Sequence, residues 1–162
     1  MSDTSVIPGS HIVRNLFEDL LGRDCNVGPG TPITAGDLPT ATVAIYTDNS
    51  QQIHAVVGMD LSLAANVGAA LGLIPAGAAE DSIDDKVLAP NLAENVFELC
   101  NVLTSLLNRE GGPHVKLYQV LYPGMPLPND ARAHLLALGR RLDLLIEVSR
   151  YGKGKFSLSL AP

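Results

Sequence analysis

Two stretches of the chain alternate apolar and polar side chains, and this alternation strongly limits what the chain can fold into. The first stretch covers residues 40–59, with turn residues at 48–50, and the second covers residues 142–160, with a Gly-Lys-Gly turn expected within 151–154. Alternation with a period of two, interrupted by turn residues, predicts a β-hairpin that buries one face. The expected strands are residues 40–47, 52–59, 142–148 and 156–160.

Three other segments predict α-helices. Residues 10–21 carry apolar side chains at helical spacing, with Ser10 as the expected N-cap. Residues 61–71 follow Asp60, a second capping residue, and are rich in Ala and Gly. Such small residues let a neighbouring backbone come close, so this helix is expected to be tightly packed. Residues 91–108 form the third and longest helix.

The segments between these elements are less regular. Residues 115–122 predict a further strand, whereas residues 131–138 fit either a short helix or a loop. Residues 27–39 are punctuated by Gly and Pro, and residues 74–85 contain an acidic run. Both of these segments are expected to be loops.

The order of the elements predicts an α+β fold in two layers, with helices packed on one face of a mostly antiparallel sheet. The 162 residues are 46% hydrophobic and 17% charged, a balance that is typical of a folded chain rather than a disordered one. We therefore expect a single domain over residues 1–162, with residues 1–9 flexible.

Charge and cysteine content argue against several classes of function. The net charge is −6 and the largest basic cluster is Arg140-Arg141, so a nucleic-acid partner is not expected. Cys25 and Cys100 are too far apart in sequence to indicate a disulfide framework or a metal site. Because the sequence also lacks a signal-peptide pattern and a long apolar run, we expect a cytoplasmic protein without a membrane span.

The third helix carries the side chains that are best suited to chemistry. Glu94, Glu98, Asn101 and Asn108 are spaced so that they share one face of a helix. A carboxylate that can pair with a cation, and a carboxamide that can hold a water, suit positioning work on a phosphoryl group. The opposite face is expected to point into the core through five side chains: Val96, Phe97, Cys100, Leu103 and Leu107.

A solvated helix face is the plain alternative for Glu98 and Asn101, and it would be favoured if nothing else supported a site. Other kinds of site have less support. Gly28-Pro29-Gly30 does not stand between a strand and a helix as a phosphate loop does. The histidines lack Cys, Asp or Glu partners at metal-ligand spacing: His11, His54, His114 and His134.

The third helix and a distant proline resemble the signature of the CheC/CheX/FliY family of chemotaxis phosphatases. That signature is an Asp or Ser, a Glu and an Asn at fixed helical spacing, followed by a distant Pro. Glu98 and Asn101 match it, Pro123 follows after 21 intervening residues, and Glu94 occupies the Asp/Ser position. The layout of residues 40–160 also resembles CheX, and a single intact motif is more similar to CheX than to CheC, which typically carries two.

This resemblance implies a CheC-like fold and the dephosphorylation of a CheY-like response regulator. In the family, the Glu pairs with the active-site Lys of the regulator and the Asn orients the attacking water, which would assign these roles to Glu98 and Asn101. Glu94 and Pro123 would have supporting roles. The regulator would supply its own Mg²⁺, so the resemblance implies no cofactor or metal in this chain, and it also implies a homodimer.

Three classes of function stay open from the sequence. The first is a phosphatase acting on the aspartyl phosphate of a response regulator. The second is a non-catalytic CheC-like module that binds a receiver domain or another signalling partner. The third is a structural role in a motor-switch or secretion assembly. Stimulated loss of phosphate from a receiver domain separates the first class from the second, and a stable large complex without turnover favours the third.

Overall fold

An antiparallel sheet of six strands, in the order β1-β5-β6-β3-β2-β4, organises the part of the chain that the computed structural model describes, residues 7–108 and 110–161. Every strand pairs antiparallel with its neighbours. The strands are β1 (Cys25–Pro29), β2 (Thr42–Thr47), β3 (Ile53–Met59), β4 (Lys116–Leu121), β5 (Arg141–Val148) and β6 (Gly152–Leu160).

The helices connect these strands and add a second layer. They are α1 (Ser10–Leu21), α2 (Leu61–Leu71), α3 (Ala76–Asp85), α4 (Pro90–Val102) and α5 (Asn129–Leu136). Short 3₁₀ turns lie at Leu38–Thr40 and Leu103–Leu106, and the second of these continues α4. The α+β fold is therefore confirmed, and most of the segment that fits either a helix or a loop, residues 131–138, belongs to α5.

Both predicted hairpins are present, as β2–β3 and β5–β6. For the second hairpin, the predicted turn at residues 151–154 is wrong. Val148 pairs with Gly152, and the chain reverses through Arg150, which has a φ of 71°. The glycines serve a different purpose, because a Cβ at Gly154 would collide with Asp60 and with the backbone at the start of α2. They let this helix lie directly against β6.

The two faces of the sheet bury different sets of side chains. On the main face, Tyr46 and Val57 join a core to which α1, α2 and α4 contribute. On the opposite face, Ile45 and Val56 pack with Leu135 of α5. The predicted helical layer is present on the main face, and α5 adds a smaller cover on the other side.

Two predicted loops are partly regular structure. Residues 27–39 were expected to be a loop, but β1 (Cys25–Pro29) runs into them and pairs with β5 at the edge of the sheet. Its Gly and Pro hide the strand signal, and pairing with the longer β5 determines its conformation. Residues 74–85 were also expected to be a loop and contain helix α3. Its sequence is rich in Ala, a strong helix former, and its acidic side chains occupy the exposed side.

The helix starts are partly as predicted. Asp60 caps α2, where its side chain accepts a hydrogen bond from the backbone N–H of Leu63 at 2.9 Å. Helix α1 spans the expected residues, but Ser10 is its first helical residue and Gly9 occupies the N-cap position. The Ser10 side chain therefore does not have the predicted capping role.

Helices α2 and α4 approach each other very closely, as the small residues of α2 predicted. A Cβ added at Gly68 would lie 2.7 Å from the backbone oxygen of Leu92, so only glycine fits there without displacing α4. Across the same contact, the Asn95 side chain donates a hydrogen bond to the Gly68 carbonyl at 2.9 Å. Helix α4 is therefore held in a defined position by α2.

The first residues of the chain are only partly described. Most of residues 1–9, which were expected to be flexible, lie outside the described residues. Ile7, the first described residue, packs against the main core. Over residues 7–108 and 110–161, no helix is both long enough and apolar enough to cross a bilayer.

Candidate functional site

Helix α4 is anchored to the sheet along its inner side. Pro90 occupies its first turn, where a missing N–H costs nothing and the fixed φ favours a helix start. Val96, Leu99 and Cys100 are fully buried in the main core. The Tyr46 hydroxyl of β2 donates a hydrogen bond of 2.5 Å to the Cys100 carbonyl. The helix therefore forms a fixed support for whatever its outer side presents.

The outer side of α4 presents the predicted polar stripe. Glu94, Glu98 and Asn101 are all exposed. Among residues 7–108 and 110–161, no side-chain hydrogen bond or ion pair engages any of the three, whereas the neighbouring Asn95 turns inward to α2. The prediction that Glu98 and Asn101 lie exposed on one helix face is confirmed, and neither side chain is engaged by the described residues.

Phe97 was expected in the core and is instead 48% exposed. It lies roughly 120° around the helix axis from Leu103, at about 100° per residue. The ring is therefore outside the arc that faces the sheet and on the side of the Glu94–Asn101 stripe. The other predicted inner residues are buried: Val96, Cys100, Leu103 and Leu107. The exposed ring places an apolar surface directly beside the polar pair.

Asn108 was predicted to belong to the polar stripe, but it has a structural role. Its side chain accepts a hydrogen bond from the Val115 N–H and donates one to the Val115 carbonyl, both at 2.7 Å. It also bonds to the Thr104 carbonyl. These contacts connect the end of the helical segment to the approach to β4, so the carboxamide is not free for a partner.

Pro123 lies outside α4, in the turn that follows β4. The turn is closed by a hydrogen bond of 3.0 Å from the Met125 N–H to the Tyr122 carbonyl. Pro123 is half-buried, and the preceding Tyr122 packs against the core cluster that contains Cys100. The structure thus places Pro123 at the end of a strand that contacts α4, and it brings Glu94, Glu98 and Asn101 together on the helix itself.

Neither cysteine is suited to nucleophilic or metal chemistry. Burial raises the pKa of the Cys100 thiol to about 12, and burial with a smaller contribution from Glu18 raises the pKa of Cys25 to about 11. Both thiols therefore stay protonated near neutral pH. Within the described residues, no three His, Cys, Asp or Glu side chains converge on a point that a metal ion could occupy.

A groove of about 570 Å³ opens between α1 and the end of α4, and sequence reasoning missed it. Its walls include Ile12, Leu16 and Leu20 of α1 and Val102 and Ser105 on the other side. The sequence does contain a signal for this groove, which is the width of the apolar stripe on α1. One row of its apolar residues is buried, and the adjacent row beginning at Ile12 is left partly exposed.

No protein-family model matches the sequence, and no curated protein sequence matches it either. Solved structures do match. A chain of the CheX–CheY–BeF3–Mg²⁺ complex from Borrelia burgdorferi superimposes with a TM-score of 0.57 at 13% identity, covering 91% of this chain and 92% of that one. FliY from Thermotoga maritima gives a TM-score of 0.54 at 15% identity, covering 94% and 83%.

A third similar structure extends the comparison to FliM. A chain of the FliM–SpeE complex from H. pylori gives a TM-score of 0.50 at 8% identity, covering 93% of this chain and 82% of that one. Identities this low show a shared fold alone. The resemblance to the CheC/CheX/FliY family is therefore confirmed at the level of the fold.

Proposed function

We propose, from the fold that this chain shares with CheX and FliY, that it accelerates hydrolysis of the aspartyl phosphate on a CheY-like response regulator. One observation carries the proposal: Glu98 and Asn101 are both exposed, and neither side chain is engaged by the described residues, on a helix that the core holds rigidly. Side chains that the described part of the fold does not use can act on a partner.

In this proposal Glu98 docks the chain on the regulator. Its carboxylate pairs with the active-site Lys beside the aspartyl phosphate. An ion pair of this kind forms as water leaves the interface, so it contributes to orientation and to the rate of encounter. The rigid attachment of α4 to the sheet then fixes where the next helical turn, with Asn101, meets the phosphoryl group.

Asn101 positions the attacking water. Its carboxamide has both a donor and an acceptor, so it can hold a water in one orientation without abstracting a proton. As the water oxygen bonds to phosphorus, the bond from phosphorus to the aspartyl oxygen breaks, and free carboxylate and inorganic phosphate are released. Such a loose transition state needs a placed water more than a strong base. The regulator supplies Mg²⁺, and this chain contributes no cofactor.

Glu94 and Pro123 have supporting roles in the proposal. Glu94 lies one helical turn before Glu98 and adds a second negative charge toward the partner's cation. It stands where the family signature has Asp or Ser, so its longer side chain is the main departure from that pattern. Pro123 fixes the turn after β4, beside the core that supports α4.

A non-catalytic module that binds a receiver domain or another signalling protein is the second candidate. Glu94 in the Asp/Ser position and the fold shared with FliM both favour it. The two candidates predict the same contact surface and differ only in whether phosphate loss is accelerated.

The test is the lifetime of the aspartyl phosphate on purified receiver domains from the same genome, measured with and without this protein. Asn91→Ala is a matched control, because Asn91 is an exposed carboxamide on the same helix outside the motif. We expect wild type and Asn91→Ala to shorten the lifetime equally on at least one receiver. Binding of a receiver with an unchanged lifetime would favour the non-catalytic module.

A further inference from the structure

We infer that the groove between α1 and the end of α4 is a second contact for the partner that engages Glu98 and Asn101. Its occupant is an apolar side chain of that partner, flanked by Lys or Arg. The inference rests on the proposed function for the identity of the partner as a receiver domain. It adds where the rest of that domain is held and by what chemistry.

Five of the eight residues that line the groove are apolar, and all five stay at least partly exposed in the described structure. Ile12 is 42% exposed, and Leu16 and Leu20 continue the same row along α1 at intervals of four residues. On the other side, Val102 belongs to the last turn of α4. A volume of about 570 Å³ accommodates several side chains, and covering this surface removes apolar area from water.

The groove is continuous with the candidate site. Val102, in its wall, follows Glu98 by four residues within α4, so the two side chains lie on the same side of this helix. Ser105, also in the wall, is exposed in the 3₁₀ turn that continues the helix beyond Asn101. A protein that places a phosphoryl group at Asn101 therefore also covers the mouth of the groove. The two contacts form one surface, with the reacting group at one end and the apolar contact at the other.

Charge selects the kind of occupant. Asp19 lies in the wall, Glu94 and Glu98 continue the acidic surface along α4, and none of the described residues that line the groove is Lys, Arg or His. A second copy of this chain, which carries a net charge of −6, would bring the same acidic surface against itself. A partner with basic residues around an apolar contact complements both features.

The experiment measures binding of a receiver domain loaded with BeF3⁻ and Mg²⁺, a stable mimic of the phosphorylated state, by titration calorimetry at two ionic strengths. Phosphate loss is measured in parallel at saturating protein. We expect Ile12→Ala to weaken binding about fivefold. Asp19→Asn should weaken it about threefold and reduce its salt dependence. Ser105→Trp, which fills the groove, should weaken it at least about tenfold.

Matched controls keep these effects specific to the groove. Leu138 is 92% exposed beyond α5, and Asp84 is exposed on α3. Leu138→Ala and Asp84→Asn should both bind as wild type does. At saturation, Leu138→Ala and Asp84→Asn should also keep the wild-type rate of phosphate loss, because neither residue lines the groove.

The outcomes separate this inference from the proposed function. If wild type accelerates phosphate loss and the three groove variants bind as wild type does, the groove inference is overturned and the function stands. If the groove variants weaken binding while neither wild type nor Asn101→Ala changes the phosphate lifetime, the proposed phosphatase activity is overturned and the groove inference is supported. If no receiver domain binds wild type at either ionic strength, both are overturned.

Discussion

Helices α2 and α4 lie against each other on the same face of the sheet, yet they differ in how much of their surface reaches solvent. Nine of the eleven residues of α2 are buried, whereas α4 keeps an exposed stripe along its outer side. The spacing of Glu94, Glu98 and Asn101 recurs at the start of α2, where the corresponding residues are Asp60, Ala64 and Val67.

The same spacing therefore has two outcomes. Ala64 and Val67 are fully buried in the main core, and Asp60 accepts the capping hydrogen bond of α2. On α4, the equivalent positions reach solvent and the residues are polar. Spacing alone does not indicate a site. What matters is whether the positions are exposed and whether the fold already uses their side chains.

The largest expected effect is on the proposed chemistry of α4. Asn101→Ala should lose the acceleration of aspartyl-phosphate hydrolysis, a drop on the order of 100-fold or more, because no group remains to orient the water. Binding of a BeF3⁻-loaded receiver should be retained. Measuring the decay of phosphorylated receiver against protein concentration tests this. Wild-type turnover in Asn101→Ala would make the stripe a solvated face.

The second prediction concerns the packing of α2. Gly68→Ala should destabilise the fold by about 1–3 kcal/mol, because the added methyl group collides with the Leu92 backbone. The matched control is Gly77→Ala in α3, where the methyl group meets no atom within 4 Å apart from its chain neighbours and the backbone of its own helix. Removing a helical glycine at such a site should stabilise by about 0.5–1 kcal/mol. Urea denaturation of both variants measures this difference, and a shift of the same sign would contradict the close contact.

A smaller effect is expected at Glu98. Glu98→Ala should weaken receiver binding about tenfold and lower turnover with it, since it removes one partner of an interfacial ion pair. Glu94→Ala should change both by less. Wild-type binding should weaken with added salt, and the Glu98 variant should show a shallower salt dependence. If receiver binding depends equally on salt in wild type and in Glu98→Ala, Glu98 does not form an ion pair at the interface.

The smallest effects concern the stability of α4 itself. Phe97→Ala should cost about 1 kcal/mol, well below the roughly 3–5 kcal/mol for a ring fully in a core, because Phe97 is half exposed. Asn101→Ala should stay within about 0.5 kcal/mol of wild type. Chemical denaturation compares the two with Leu99→Ala, a buried control that should lose about 2–5 kcal/mol. A loss of stability in Phe97→Ala as large as that in Leu99→Ala would contradict the half-exposed position of the Phe97 ring.

The sequence predicted those parts of the fold in which periodicity and burial coincide. Strands β2 and β3 alternate because Tyr46 and Val57 face one core while Ile45 and Val56 face another. Helix α2 was recognisable from Asp60 and its small residues. The outer face of α4 was predicted for the same reason, since charged side chains do not pack against a sheet.

The parts that could not be predicted depend on contacts distant in the sequence. Strand β1 has no alternating pattern, and β5 supplies its hydrogen bonds. Helix α3 buries mainly small side chains, so its helical period is faint beside its acidic run. Phe97 is apolar and directly follows the buried Val96, so the sequence alone suggests that its ring is buried as well. The orientation of α4 on the sheet leaves the ring half exposed.

The unengaged side chains on the outer face of α4 also have an evolutionary consequence. Because the described residues make no side-chain bond to Glu98 or Asn101, single substitutions there are expected to remove the proposed chemistry without unfolding the chain. The glycines and alanines of α2 have no such freedom, since a larger residue at Gly68 would displace α4. Drift in a lineage of this fold would therefore remove the proposed activity long before it removed the fold. The descendants would persist as folded proteins in which only binding to a partner is left for selection to maintain.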